Sequence, residues 1–113
     1  MQVFFNSRDP QRALLRELAV RRVRFVMRRL TWLVPRATVH MADVNGPRGG
    51  VDKRCRVEFK TETGTAVVVT AMARDWRCAL DTALARAARA LLRLWRRDRQ
   101  PLAASRRAIA ADA

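Results

Sequence analysis

The sequence predicts a mixed α/β domain of the α+β kind. Its element order is β-α-β-β-β-α, with a four-stranded sheet carrying both helices on one face. Three observations predict it. Two stretches, residues 11–30 and 76–97, repeat apolar residues at spacings of three and four, the signature of a helix with one apolar face. Residues 53–61 alternate apolar and polar, the signature of a strand with one buried face. Helices and strands that are each apolar on one side are satisfied by packing against one another in layers. The 113 residues, half of them hydrophobic, amount to one domain with a modest core and no need of staples.

The first strand is expected over residues 3–6, where Val3, Phe4 and Phe5 favour extended backbone. Asp9 and Pro10 then signal a helix start. Aspartate accepts from free backbone N–H groups, and proline lacks a donor where none is needed. In the helix that follows, Leu15, Ala19, Val23, Val26 and Leu30 form the stripe, widened by Leu14, Leu18 and Phe25. Arg21, Arg24 and Arg28 keep the same spacing on another face. Pro35 ends it, because the residue before a proline avoids helical backbone. A second strand is expected over 37–43, and a glycine-rich loop over 44–50. In the third strand Cys55, Val57 and Phe59 face the core, and Arg54, Arg56, Glu58 and Lys60 face outward. Glu62, Thr63 and Gly64 make the hairpin turn to a fourth strand over 66–72. Asp75 caps the second helix, whose apolar face is Trp76, Leu80, Ala83, Leu84, Ala87, Leu91 and Leu94. Strands one and two can pair in parallel through a right-handed crossover, with strands two, three and four as an antiparallel meander. Residues 98–113 form a basic, alanine-rich tail. It is expected to be flexible, the alternative being one short helix over 102–110.

Charge narrows the function classes. Lys plus Arg number 24 against 10 Asp plus Glu, a net charge of +14. Such an excess on a small domain implies a polyanionic partner, nucleic acid first and an anionic membrane surface second. Only Lys53 and Lys60 are lysine. Arginine suits bidentate phosphate contact, although the coding composition of the source would account equally well for the preference over lysine. No run approaches the ~18 apolar residues of a membrane span. The N-terminus lacks the basic and apolar regions of a signal peptide, so a cytoplasmic location with reduced thiols is expected.

The second helix carries the most informative feature. Turned by about 100° per residue, Arg86, Arg89, Arg93, Arg96 and Arg97 fall opposite the apolar face. Such a ladder can meet successive phosphates of a nucleic-acid backbone, giving affinity with little sequence specificity. A solvated outer face is the plainer explanation for such arginines, but no acid interrupts the stripe between Asp81 and Asp98. Other residues carry less. His40 has no ligand partners in sequence and is expected to be structural or a minor contact. Cys55 and Cys78 are expected to be small buried hydrophobes. Trp32, Trp76 and Trp95 belong to the core or its rim, with Trp95 able to stack on a base. Asp43 and Asp52 lack a third metal ligand and read as turn formers. Residues 46–50 lack the spacing and the strand–helix context of a phosphate-binding loop. One histidine and scattered aspartates do not assemble a nucleophile, a base and an orienting group, so an enzyme is not expected.

Two motifs add a resemblance. The segment Asp43-Val44-Asn45-Gly46-Pro47-Arg48-Gly49-Gly50-Val51-Asp52-Lys53-Arg54-Cys55 and the helix start Asp75…Ala79-Leu80-Asp81, in the order β-α-β-β-β-α, resemble the ribosome hibernation promoting factor family. That family includes the ribosome-associated inhibitor once described as a sigma-54 modulation protein. The resemblance spans residues 1–97 and is to the short form, without the C-terminal domain that pairs ribosomes. It implies a fold like that of double-stranded RNA-binding domains. It also implies a place on the small ribosomal subunit, where members block the messenger channel and the A- and P-site tRNA positions in stress or stationary phase. The family's basic positions on the second helix fall on Arg86, Arg89 and Arg93, and those of the first helix on Arg22, Arg28 and Arg29. Where many members carry a tyrosine shortly after the helix-start aspartate, this chain has Arg77. The expected function is therefore translation inhibition by occupancy, through small-subunit ribosomal RNA. No cofactor, metal, small-molecule substrate or membrane is expected, and the protein is expected to be monomeric away from the ribosome. A general binder of double-stranded RNA or DNA is the alternative. A membrane-surface protein is disfavoured because the core needs the apolar helix faces.

Overall fold

Backbone pairing along the chain builds one mixed sheet. The computed structural model describes residues 1–44 and 51–98. Strands β1 (Gln2–Ser7), β2 (Arg36–Asp43), β3 (Lys53–Lys60) and β4 (Ala66–Ala73) lie side by side in chain order. β1 and β2 are parallel, and the other two pairs are antiparallel. Helices α1 (Arg12–Val26) and α2 (Trp76–Asp98) cover one face of this sheet. The expected β-α-β-β-β-α topology is therefore present. The glycine-loop residues 45–50 and the tail residues 99–113 lie outside the described residues.

Strand alternation decides which side is buried. Ala37, Val39 and Met41 of β2, Cys55, Val57 and Phe59 of β3, and Val67 and Ala71 of β4 point under the helices. Helix α2 seats on them through Ala79, Ala83 and Ala87, with Leu80, Leu84 and Leu91 alongside, all fully or almost fully buried. Alanine at every fourth position lets the helix backbone come close to the sheet. Each buried leucine contributes on the order of 1.5–3 kcal/mol of transfer free energy. Helix α1 lies over β1 and against α2, burying Leu15, Ala19 and Val23.

The helix starts follow the capping chemistry. Asp9 Oδ1 accepts from Gln11 N–H at 2.8 Å, although regular helix begins only at Arg12. Asp75 Oδ1 accepts from Cys78 N–H at 2.8 Å, the cap that the sequence predicts. The hairpin between β3 and β4 turns where expected, with Gly64 in the left-handed region at φ 88°.

Three expectations need correction. The first helix ends at Val26, not near residue 30. From Arg28 onward the N–H groups of Arg28, Leu30 and Leu33 bond three residues back, tightening the chain into a 3-10 turn over Thr31–Leu33. That turn brings the chain back to Arg36, which pairs with Gln2. Leu14 and Phe25 do not widen the buried stripe: they are 67% and 55% exposed, because α1 touches the sheet along a narrow seam. Cys78 is exposed on the first turn of α2, while Cys55 is buried as expected.

Candidate nucleic-acid interface

Packing of α2 through its alanine and leucine face leaves the opposite face in solvent. Arg86, Arg89, Arg93, Arg96 and Arg97 are all exposed there. None makes an ion pair among the described residues. At ~1.5 Å per residue the ladder from Arg86 to Arg97 is about 16 Å long. The helix is fixed beneath it by a buried core, so the arginines project from a stiff support. This arrangement can meet a run of phosphates with little ordering beyond the side chains themselves.

The three arginines assigned to the first helix by resemblance are placed differently. Arg22 donates from Nε to Asp81 Oδ1 at 2.9 Å and so ties α1 to α2. Arg77 approaches the other oxygen of Asp81 at 3.7 Å. Arg28 and Arg29 lie past the last residue of α1, in the turn that follows. Arg28 donates to the Phe25 carbonyl at 2.8 Å and lies over the Phe25 ring, 4.5 Å from its centroid. Arg22 flanks the same ring at 5.3 Å. Arg29 is exposed, and its carbonyl accepts from Trp32 Nε1 at 3.1 Å. The helix layer thus presents the open α2 ladder beside an arginine–phenylalanine cluster at the end of α1. Periodicity alone did not reveal the Phe25 cluster, since it requires the helix to end where it does.

Trp32 packs edge-on against Trp95, with centroids 5.8 Å apart and planes at 81°. Trp32 is at the rim and Trp95 is half-buried, so the pair anchors the end of α2 to the turn after α1. Trp76 is also half-buried, and the Lys53 ammonium lies 5.2 Å from its ring centre.

The two carboxylates beside the glycine loop have a local explanation. Lys53 Nζ donates to Asp43 Oδ2 at 2.6 Å and faces Asp52 Oδ2 at 3.7 Å. Asp52 is buried, and its side-chain oxygens make no hydrogen bond among the described residues, so the lysine charge opposes a desolvated carboxylate. The hydrogen bond to Asp43 raises the Lys53 pKa, against a lowering by burial and with help from the charges of Asp43 and Asp52. No group of three or more His, Cys, Asp or Glu that could hold a metal occurs among the described residues.

Both thiols are raised above the ordinary cysteine value. Burial pushes Cys55 up to about 12. The Asp75 carboxylate, hydrogen-bonded to the Cys78 side chain, raises the Cys78 thiol. The Cys78 backbone N–H in turn lowers Asp75. No helix among the described residues is long and apolar enough to cross a membrane. No family model matches the chain, and no curated protein matches it either.

Proposed function

We propose that this protein is a non-enzymatic factor that binds small-subunit ribosomal RNA and silences translation by occupying the messenger and tRNA path. The α2 ladder carries the proposal: five exposed arginines on one face of a helix whose other face is locked in the core. The family resemblance of residues 43–55 and 75–81 supplies the ribosome as the target. Occupancy needs no reacting group, only a rigid cationic body seated where messenger and tRNA would lie. With about 6–10 phosphates contacted, affinity falls roughly 10³- to 10⁵-fold between ~50 and ~200 mM salt, less where magnesium already screens the RNA.

The test is a sucrose gradient of purified ribosomes mixed with the protein at near-physiological salt and magnesium. Co-migration with the small subunit or the intact ribosome is expected. The Arg86→Ala/Arg89→Ala/Arg93→Ala variant is expected to stay at the top of the gradient with its fold intact. Wild-type protein left at the top would sink the proposal. General duplex binding is the second reading, since phosphates recur on any double helix. Equal competition by free duplex and by ribosomes would favour it.

A further inference from the structure

The helices cover one side of the sheet, and the described residues leave the other side open. We propose that this open face is a second nucleic-acid site, one that holds a single-stranded RNA segment. The inference takes RNA as the partner from the proposed function. Its site is separate from the α2 ladder and does not require the ribosome.

Strand register assembles the site. His40 of β2 stands opposite Arg56 of β3, which stands opposite Thr70 of β4. Ala42 and Arg54 form the neighbouring row. These five residues line a hollow of about 340 Å³ that contains no carboxylate. Two guanidinium groups, an imidazole and a hydroxyl therefore border one hollow, a donor set suited to phosphate. A wider adjoining hollow shares His40 and Arg54 and adds Arg8 and Asn6, together with Asp9 and Asp43. Arg54 has no ion pair among the described residues, and Arg56 has only a loose one to Glu58 at 3.8 Å.

One row further along the same face, Phe4 is 43% exposed, and the Arg36 guanidinium lies 5.2 Å from its ring centre. Val68 and Met72 are also about half exposed on this face. On a water-facing antiparallel sheet the outward positions are mostly polar, so these apolar residues depart from the pattern. Phe4 with Arg36 offers a nucleobase an aromatic ring to stack on and a guanidinium beside it. Met72 stands next to Arg54, and Val68 lies across the sheet from Phe4, beyond Thr38 and Glu58. Successive outward residues on one strand are ~6.6–6.8 Å apart. Arg54 and Arg56 are such a pair, and they track an extended backbone. The smaller hollow is lined by strand residues alone, so a single strand with splayed bases fits it better than a duplex.

A labelled single-stranded RNA of about eight nucleotides, followed by fluorescence anisotropy with the full chain at near-physiological salt, tests this. Wild-type protein is expected to bind it. Arg54→Ala/Arg56→Ala is expected to weaken binding about tenfold or more, and Phe4→Ala about fivefold or more. The α2 triple variant is expected to keep most of its oligonucleotide binding while losing ribosomes, which separates this site from the proposed function. The chain has a single histidine, so the His40 ring gives one identifiable NMR signal. Its shift on adding the RNA reports contact at the hollow, even if a strand variant fails to fold. The proposal is overturned if wild type does not bind the strand. It is equally overturned if the sheet variants bind like wild type, or if the His40 signal stays put while the strand binds.

Discussion

Helices α1 and α2 are both rich in arginine, and they use it differently. On α2 the guanidinium groups of the ladder make no ion pair among the described residues. Near the end of α1 two of them are committed within the protein, Arg22 to Asp81 and Arg28 to the Phe25 ring and carbonyl, while Arg24 and Arg29 are exposed and make no ion pair among the described residues. The contrast teaches that a basic stripe is available to a partner only where the neighbouring surface offers nothing to bind it first. Spacing along a helix reveals the face, but the residues across the seam decide whether its charge is spent locally.

Breaking that contrast starts with the ladder. The Arg86→Ala/Arg89→Ala/Arg93→Ala variant should drop the slope of log affinity against log salt by about 2–3 and change folding stability by no more than ~0.5 kcal/mol. Salt titrations of ribosome binding, begun at low salt, and thermal melts check both halves. Next comes the seat beneath the ladder. Leu84→Ala empties a fully buried site and should cost roughly 2–5 kcal/mol in urea unfolding, weakening binding only where the protein unfolds. A smaller effect sharpens the comparison. Arg22→Ala should cost about 0.5–1 kcal/mol and leave the salt slope unchanged, with a similar coupling to Asp81 in a double-mutant cycle. An unchanged stability with a shallower slope would move Arg22 into the proposed RNA interface.

The smallest effects are in pH. Asp75 is lowered in the folded state, chiefly by the Cys78 backbone N–H. Its contribution is present above the unfolded value of about 3.9 and is lost as pH falls through the lower folded value. Asp75→Asn should flatten the melting temperature over that acid range. Lys53 is raised, so its contribution holds below about 10.4 and is lost as pH rises through the higher folded value. Asp75→Asn should also speed alkylation of Cys78, because the carboxylate no longer holds the thiol up, while native Cys55 stays unreactive.

Much of the fold was legible because its signals are local. The alternation through Cys55, Val57 and Phe59, the cap at Asp75 and the turn at Gly64 each need only neighbouring residues, and each stands where expected. The end of α1 was not legible. Leu30 continues the helical spacing, but closure of the chain onto β2 draws residues 28–33 into a tighter turn. Cys78 looked apolar enough to bury, yet at the third position of α2 it sits on the solvent side. The α2 ladder was visible from periodicity alone. The open-face group of Phe4, His40, Arg54 and Arg56 was not, since it comes from three strands whose register no single segment specifies.

The edge-on contact of Trp32 with Trp95 has an optical consequence. The chain has three tryptophans and no tyrosine, so its near-ultraviolet emission comes almost entirely from indoles. Two of the three meet where the end of α2 rests on the turn after α1. Fraying of that end would part the rings, shift the emission to the red and erase the dichroic signal of the coupled pair. A simple spectrum of the unlabelled protein therefore gauges whether the last turns of the arginine helix are docked.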